Sequence, residues 1–394
     1  MSLPSHTSRQ IDICQETGVG VVFGRARAGK GDAVPRVGAE RLAPLEEHMP
    51  LPTRTDSRLI PTVRNDRVCT GVTTVGGRVF VSFPAADAPG TQVAEALPDG
   101  RRVPWPDESW NAVQDEPRPD GAYVHVNGVR TGPDGQLWII DSGAPGPGRR
   151  QVPGAARLIV TDPATAAVTR IYDLTEAVRD DSYVDDVRFN GASAYLTDAG
   201  APGLIVLDLT SGRTRRVLDG HPSTVGRRLI ADGEILHDSA GDEIVLHADQ
   251  LEVSPDGRHL YYQPASGGLS RIETRWLDDP TLDPATVAGY VEPWLDTPTT
   301  GGTAIDAAGT IYLSDAERRR IVTITPERVV TTLVADPRLA WVDAMWIDSG
   351  GDLWLPAAQL HRTPGLSGGV NRVDYPVWIY RLSVGVGPAP NDHA

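Results

Sequence analysis

VRTGPDGQLWIIDSG (129–143) reads as a short apolar run, a Gly-containing turn and a second apolar run ending on a small or acidic residue. Apolar, β-branched runs joined by Asp-Gly make a hairpin, because Gly supplies the backbone conformation a tight turn demands. The phrase recurs as VRFNGASAYLTDAG (187–200), LEVSPDGRHLYYQPASG (251–267), TAIDAAGTIYLSDAE (303–317) and MWIDSGGDLWLPAAQ (345–359), with a weaker copy, VTTVGGRVFVSFPAA (72–86). Phe80, Trp138, Tyr195, Tyr261, Tyr312 and Trp354 hold equivalent places. Units roughly 40 to 65 residues apart are the size of four-stranded blades, and their number predicts an all-β, six-bladed β-propeller of four-stranded antiparallel blades.

The outer strands are readable in the same way. After GQLWIIDSG come ARLIVTDP (156–163) and AAVTRIYDL (166–174); after AYLTDAG come GLIVLDLTSG (203–212) and RTRRVLDG (213–220). Short β-branched runs separated by Asp-Pro, Ser-Gly and Asp-Gly turns describe an antiparallel meander. The exception is IETRWLDDPTLDPATVAGYVEPW (272–294), expected as a helical insertion that starts near Asp279 or Thr281 and lies outside the inner ring.

With 394 residues, 40% of them hydrophobic, the chain can build a large core. Length alone would suggest two or three domains, but blades bury their faces only against one another, so one domain is expected. Residues 1–60 read as a polar extension around the apolar run GVGVVFG (18–24). Part of it is expected to close the last blade against VWIYRLSVG (377–385), with the propeller over 61–386 and a disordered tail over 387–394.

Net charge is −15 and the pI about 5.0. Phosphate backbones and anionic membranes are met by clustered cations, so nucleic acid and membrane are excluded as partners and a small-molecule substrate is expected. No stretch approaches the ~18 apolar residues of a membrane span. The opening MSLPSHTSRQIDICQ lacks the basic region and apolar core of a signal peptide. Cys14 and Cys69 are the only cysteines, too few for a disulfide framework. A cytoplasmic monomer or weak homo-oligomer is the expectation. Lys30 is the only lysine, a bias that points to a GC-rich bacterial coding sequence and argues against Schiff-base chemistry.

In a propeller, residues just before each inner strand and just after each second strand converge on one mouth of the channel. The first set here includes Thr70, His125, Asn127, Asp185, Asp186, His247, Asp249, Gln250, Thr300 and Asp343; the second includes Asp141, Asp198, Gln263, Asp315, Gln359 and His361. Asp141, Asp198 and Asp315 repeat at one position, as a scaffold requirement would. His125 and His247 are the candidate proton carriers, since a neutral imidazole both takes and gives a proton near pH 7. Asp186 or Asp249 is placed to orient them, and Asn127 or Gln250 to stabilise an enolate-like oxygen. GAPGPGRR (143–150) reads as a loop at the mouth, and Trp105, Trp110 and Tyr123 as packing between blades.

GQLWIIDSG, VDDVRFNGASAYLTDAGAPGLIVLDL, LEVSPDGRHLYYQPASGGLSRIET, TGGTAIDAAGTIYLSD and WVDAMWIDSGGDLWLPA follow one another between residues 68 and 385. In that order they resemble the major royal jelly protein/yellow family, a resemblance that also implies a six-bladed propeller. Some members of that family look like dopachrome-converting enzymes, and others bind small amines. The family is related to the gluconolactonase/senescence-marker group of metal-dependent lactone hydrolases. The resemblance to that group implies Asn127, Asp185 and Asp343 as metal ligands, and oxygen donors of this kind suit Ca²⁺ or Mg²⁺. Its first-blade acidic ligand has no counterpart here, where Cys69-Thr70-Gly71 stands instead. The expected activity is isomerisation or tautomerisation of an aromatic or quinone-like metabolite in bacterial biosynthesis. Lactone or ester hydrolysis and non-catalytic binding of an aromatic amine are the alternatives.

Overall fold

The structure is a computed structural model that describes residues 50–114, 118–119 and 121–391. The apolar run at 18–24, Cys14, Lys30, His6, His48 and residues 392–394 lie outside the described residues. Six sheets of four antiparallel strands follow one another along the chain, with a two-stranded hairpin, Ile230–Ala231 and Glu234–Ile235, between the third and fourth. Inner strands of blades one to six begin at Gly71, Val126, Val184, Ala248, Thr300 and Trp346. The six-fold repeat of the sequence is therefore the six-fold repeat of the propeller.

Second strands such as Leu137–Asp141 and Ile311–Asp315 are buried along their whole length. They lie between two neighbouring strands and between two neighbouring blades, so both faces are apolar and the usual in-out alternation disappears. The fourth strands, such as Val168–Asp173, are mostly exposed and carry the charge. Aromatic residues fill the space between blades. Trp105 meets Phe80 edge-on at 4.9 Å and donates its indole N–H to Thr161 Oγ1 at 2.9 Å, while Tyr123 packs on Trp110 at 5.2 Å. Trp105 and Tyr123 are core, and Trp110 is half-buried against them.

Blade six takes its fourth strand from the start of the described chain. Ile60–Asn65 pairs antiparallel with Val377–Ser383, with Val63 opposite Ile379 and Asn65 opposite Val377. Closing the ring with strands from both ends of the propeller covers the outer edge of Val377–Ser383 and ties the last blade to the first. The closing strand is thus Ile60–Asn65.

Two expectations need correction. The 272–294 stretch is two short helices, Thr274–Asp278 and Pro284–Ala288, and its end is the fourth strand of blade four, Glu292–Leu295. The second helix is capped by Asp283, which accepts from Ala285 N and Thr286 N and precedes a proline at the first helical position. Asp279 instead holds the turn at Thr281. The tail is also ordered through Asn391: Ala389 is fully buried with Ile305 and Leu313, and Asn391 Nδ2 donates to Ser254 O at 3.1 Å.

Two of the three repeated aspartates, Asp141 and Asp198, are staples, whereas Asp315 accepts from Arg318 N at 3.2 Å and Arg320 Nε at 2.7 Å in its own turn. Asp141 accepts from Val124 N at 3.0 Å, His125 N at 2.9 Å and Arg157 Nη2 at 3.1 Å. Asp198 accepts from Tyr183 N at 2.8 Å, Ala201 N at 3.0 Å and Arg216 Nη1 at 2.8 Å, and from Ser182 Oγ. Each ties the end of a second strand to the start of its inner strand and to an arginine on an outer strand. Asp198→Ala takes from the buried Arg216 one of its two carboxylates, leaving Asp219, and removes the acceptor of Tyr183 N and Ala201 N, so a loss of about 3 kcal/mol is expected in chemical denaturation. A variant as stable as the parent would show that the staple is dispensable.

Candidate active site in the propeller channel

Each staple fixes the residue that enters the inner strand, and two residues later the strand bulges. In blades two to five the inner strand has one residue more than its partner, between Val126 and Gly128, Val184 and Val187, Ala248 and Gln250, and Thr300 and Thr303. Blade six has the same excess between the Val342–Ala357 bridge and the Trp346–Trp354 pair. A bulge breaks the ladder and re-aims a side chain. The bulge positions are Asn127, Asp185, Asp249, Gly301 and Asp343. Glycine is required in blade five because a Cβ on Gly301 would stand 2.3 Å from Val342 O. Blade one has no bulge and contributes Thr70, whose hydroxyl donates to Asn127 O at 2.9 Å.

Asn127 Nδ2 donates to Asp185 Oδ1, and Asn127 Oδ1 accepts from Tyr183 OH at 2.9 Å. A further hydrogen bond joins Asp185 to Asp249. Asp343 accepts from Ala344 N at 2.9 Å and from the Trp341 indole at 3.2 Å. No arginine or lysine pairs with any of these three carboxylates among the described residues. Burial first, and the charge of Asp249 next, hold Asp185 well above the usual carboxylate range. Burial and the charge of Asp343 push Asp249 up to about 7, and burial likewise holds Asp343 high. Near neutral pH this cluster keeps protons that an exposed aspartate would have lost.

Asp186 belongs to a different arrangement. Arg130 reaches it at 3.1 Å and Arg188 at 2.7 Å, and Arg188 continues to Glu252 at 2.7 Å. Thr303 Oγ1 completes the chain on Glu252 at 2.8 Å. These ions are buried and paired, and the two arginines hold Asp186 below the usual range despite its burial. The network crosses from blade two to blade five and braces the channel.

His125, Tyr183, His247, Thr299 and Trp341 occupy one position in successive blades, each carbonyl accepting from the residue after a second strand. His125 is 5% exposed, its Nε2 has no hydrogen-bond partner, and its ring meets Tyr183 edge-on at 5.6 Å. Burial lowers its pKa to about 4, against a smaller opposing effect of a backbone hydrogen bond to Pro145. Pro145 lies in the 143–150 loop, which therefore forms part of the wall. His247 differs: its Nδ1 accepts from Gly226 N at 3.0 Å, which leaves the proton of the neutral ring on Nε2. Gln250 has both ends of its amide engaged, donating to Thr300 O at 2.8 Å and accepting from Gln263 Nε2 at 3.2 Å.

The mouth is covered. Leu229, Ala231 and Leu236, from the segment between blades three and four, pack with Cys69, Ala265, Ala316, Trp341 and Ala358. Asp232 on the same segment pairs with Arg319 of blade five and with His361 of blade six at 3.0 Å.

The structure thus gathers Asn127, Asp185 and Asp343 around the channel and brings His125 to the same wall through Tyr183. It sets Asp186 and Gln250, each one residue past a bulge, into bonded networks. Tyr183 joins the cluster without having been singled out, and Asp249, expected to orient a histidine, joins it as part of the acidic group. Their signal was a constant offset: Asn127 follows His125 by two residues, as Asp185 follows Tyr183, Asp249 follows His247 and Asp343 follows Trp341. The expected metal ligands do not form a ligand set. Asn127 Oδ1, Asp185 Oδ1 and both Asp343 oxygens are engaged in hydrogen bonds. Among the described residues no three His, Cys, Asp or Glu side chains are grouped to hold a metal.

A channel-centred ring of six blades with polar groups at one mouth defines the class, a six-bladed propeller with a covered channel site. The chain belongs to the major royal jelly protein family, whose sequence profile matches residues 126–385. No curated protein shows significant sequence similarity to it. Several solved structures share the fold at low identity. A luciferin-regenerating enzyme is 12% identical with a TM-score of 0.52, over 85% of this chain and 98% of its own. A putative gluconolactonase is 13% identical with a TM-score of 0.50, over 85% and 95%. A streptogramin B lyase is 13% identical with a TM-score of 0.49, over 82% and 96%. No helix among the described residues is long and apolar enough to cross a membrane.

The raised carboxylates set a pH dependence. A folded state that keeps a proton the unfolded chain has lost is favoured at low pH, and this preference disappears as pH rises. For Asp249 the window runs from 3.8, its ordinary value, to about 7. Asp249→Asn is expected to lose less stability than the parent across that window in urea denaturation. An identical fall in both proteins would show that Asp249 does not carry this charge penalty.

Proposed function

We propose that this protein is a proton-transfer enzyme, an isomerase or tautomerase of a small aromatic or quinone-like molecule bound in the channel. The observation that carries the reading is His125: a buried, neutral imidazole whose Nε2 lone pair has no partner, beside Tyr183. In this reading Nε2 takes a proton from a substrate carbon. Tyr183 OH, which donates to Asn127 Oδ1 in the resting site, turns that hydrogen to the enolate-like oxygen as it develops. The proton held between Asp185 and Asp249 is delivered to a second carbon, and exchange with solvent resets both groups. Two carriers whose environments set opposite protonation states are what isomerisation needs. Family membership fits the same class of reaction. His247, with its proton on Nε2, serves as a hydrogen-bond donor rather than as the base.

The test is deuterium wash-in. Enolisable aromatic and quinone-like compounds are incubated with the protein in D₂O and followed by NMR. Exchange at carbon is expected with the parent and is reduced about 10²–10⁴-fold in His125→Gln. Undiminished exchange in that variant would remove His125 from the reaction. A compound that binds without any exchange would favour the amine-binding alternative. Loss of activity on chelation with recovery in Ca²⁺ would favour the metal-dependent hydrolase.

The pH profile follows from the same groups. The base must be neutral, so activity rises through about 4, and the acid must be protonated, so activity falls through about 7. Asp249→Asn should remove the alkaline limb at reduced rate. A profile still rising above neutrality would contradict the assignment.

A further inference from the structure

Outside the channel, a cavity of about 330 Å³ lies between the Glu234–Ile235 hairpin and the two 3-10 turns of blade six, Leu360–Arg362 and Pro364–Leu366. Its two walls are joined. His237 bridges to Ser367, and Gly368 N donates to His237 O at 3.0 Å. Ile235, Leu236 and Leu366 supply apolar surface.

The charges around it are unequally matched. Asp232 is fully engaged: Arg319 reaches it with two nitrogens, one at 2.6 Å, and His361 Nε2 with a third bond at 3.0 Å. Arg362, also in the lining, has only the neutral Gln359 Oε1 at 2.8 Å, while its nearest carboxylate oxygen, on Asp232, is 3.9 Å away. Arg372 is linked to Arg362 through the backbone, N to O at 2.7 Å, and its guanidinium makes no ion pair among the described residues. Glu234, the other acidic lining residue, is exposed, where solvent screens it. His361 is 8% exposed and its Nδ1 has no hydrogen-bond partner.

We propose that this cavity binds a small organic carboxylate, held by Arg362 and Arg372 with its apolar body against Ile235, Leu236 and Leu366. Guanidinium forks match carboxylate oxygens in geometry and charge, and the half-buried Arg362, whose one nearby carboxylate is already taken by Arg319 and His361, gains most from a second anion. The site stands apart from the channel reaction but communicates with it. His361 stacks on Trp341 at 6.1 Å, and Trp341 donates to Asp343 of the acidic cluster. Occupancy would therefore be visible as a change in tryptophan fluorescence.

Benzoate, benzamide and benzylammonium are the probes, titrated into the full chain by calorimetry and by tryptophan fluorescence. Benzoate is expected to bind saturably, with the neutral and cationic analogues at least ~10-fold weaker, because a charge-assisted bond contributes about one decade or more. Arg372→Gln changes an exposed side chain, should melt like the parent, and should weaken benzoate ~10-fold; Arg362→Gln should do the same. Equal binding of benzamide, absence of saturable benzoate binding, or undiminished affinity in both arginine variants would overturn the proposal. So would benzoate binding that is lost in His125→Gln and kept in Arg372→Gln, since that places the ligand in the channel.

Discussion

In blades two and three the channel wall is set by one hydrogen-bonded constraint, the carboxylate that ends a second strand and grips the backbone N–H entering its inner strand. Asp141 holds His125 N at 2.9 Å and Asp198 holds Tyr183 N at 2.8 Å. Because the entry residue is fixed, the extra residue of the inner strand has one place to go, two positions on. There the ladder breaks at Asn127 and Asp185, and bulges without such a grip place Asp249 and Asp343 beside them. Scaffold and site are consecutive outcomes of the same local geometry.

The channel treats buried charge in two ways. Asp186 and Glu252 are neutralised by Arg130 and Arg188 and act as a brace. Asp185, Asp249 and Asp343 have no such partners and are relieved by holding protons instead. Desolvating a carboxylate without a counter-ion costs several kcal/mol per ion, so a fold that places three together loses stability to keep a reactive arrangement.

The architecture was legible because each blade repeats one phrase, and of the aspartates that repeat Asp141 and Asp198 are staples while Asp315 holds its own turn. The site was only partly legible. Asn127, Asp185 and Asp343 could be singled out because they depart from the repeat, yet Asp186 and Gln250 depart from it just as visibly and sit in bonded networks. A bulge of one residue separates the two groups, and no composition or periodicity encodes it. Tyr183 escaped notice because an aromatic residue before an inner strand reads as core, as Tyr123 is. The N-cap at Asp283 was missed because Asp279 and Thr281 offered equally good capping chemistry upstream. The order of the tail at Ala389 follows from a groove between blades four and five that only the folded ring creates.

The claim on which the account rests is the state of one imidazole. Side-chain ¹⁵N NMR of His125, assigned by its loss in His125→Gln, reports charge and tautomer together. The account predicts a neutral ring with its proton on Nδ1 and a free Nε2, persisting down to a pH of about 4. An imidazolium at neutral pH, or a neutral ring protonated on Nε2, would contradict it.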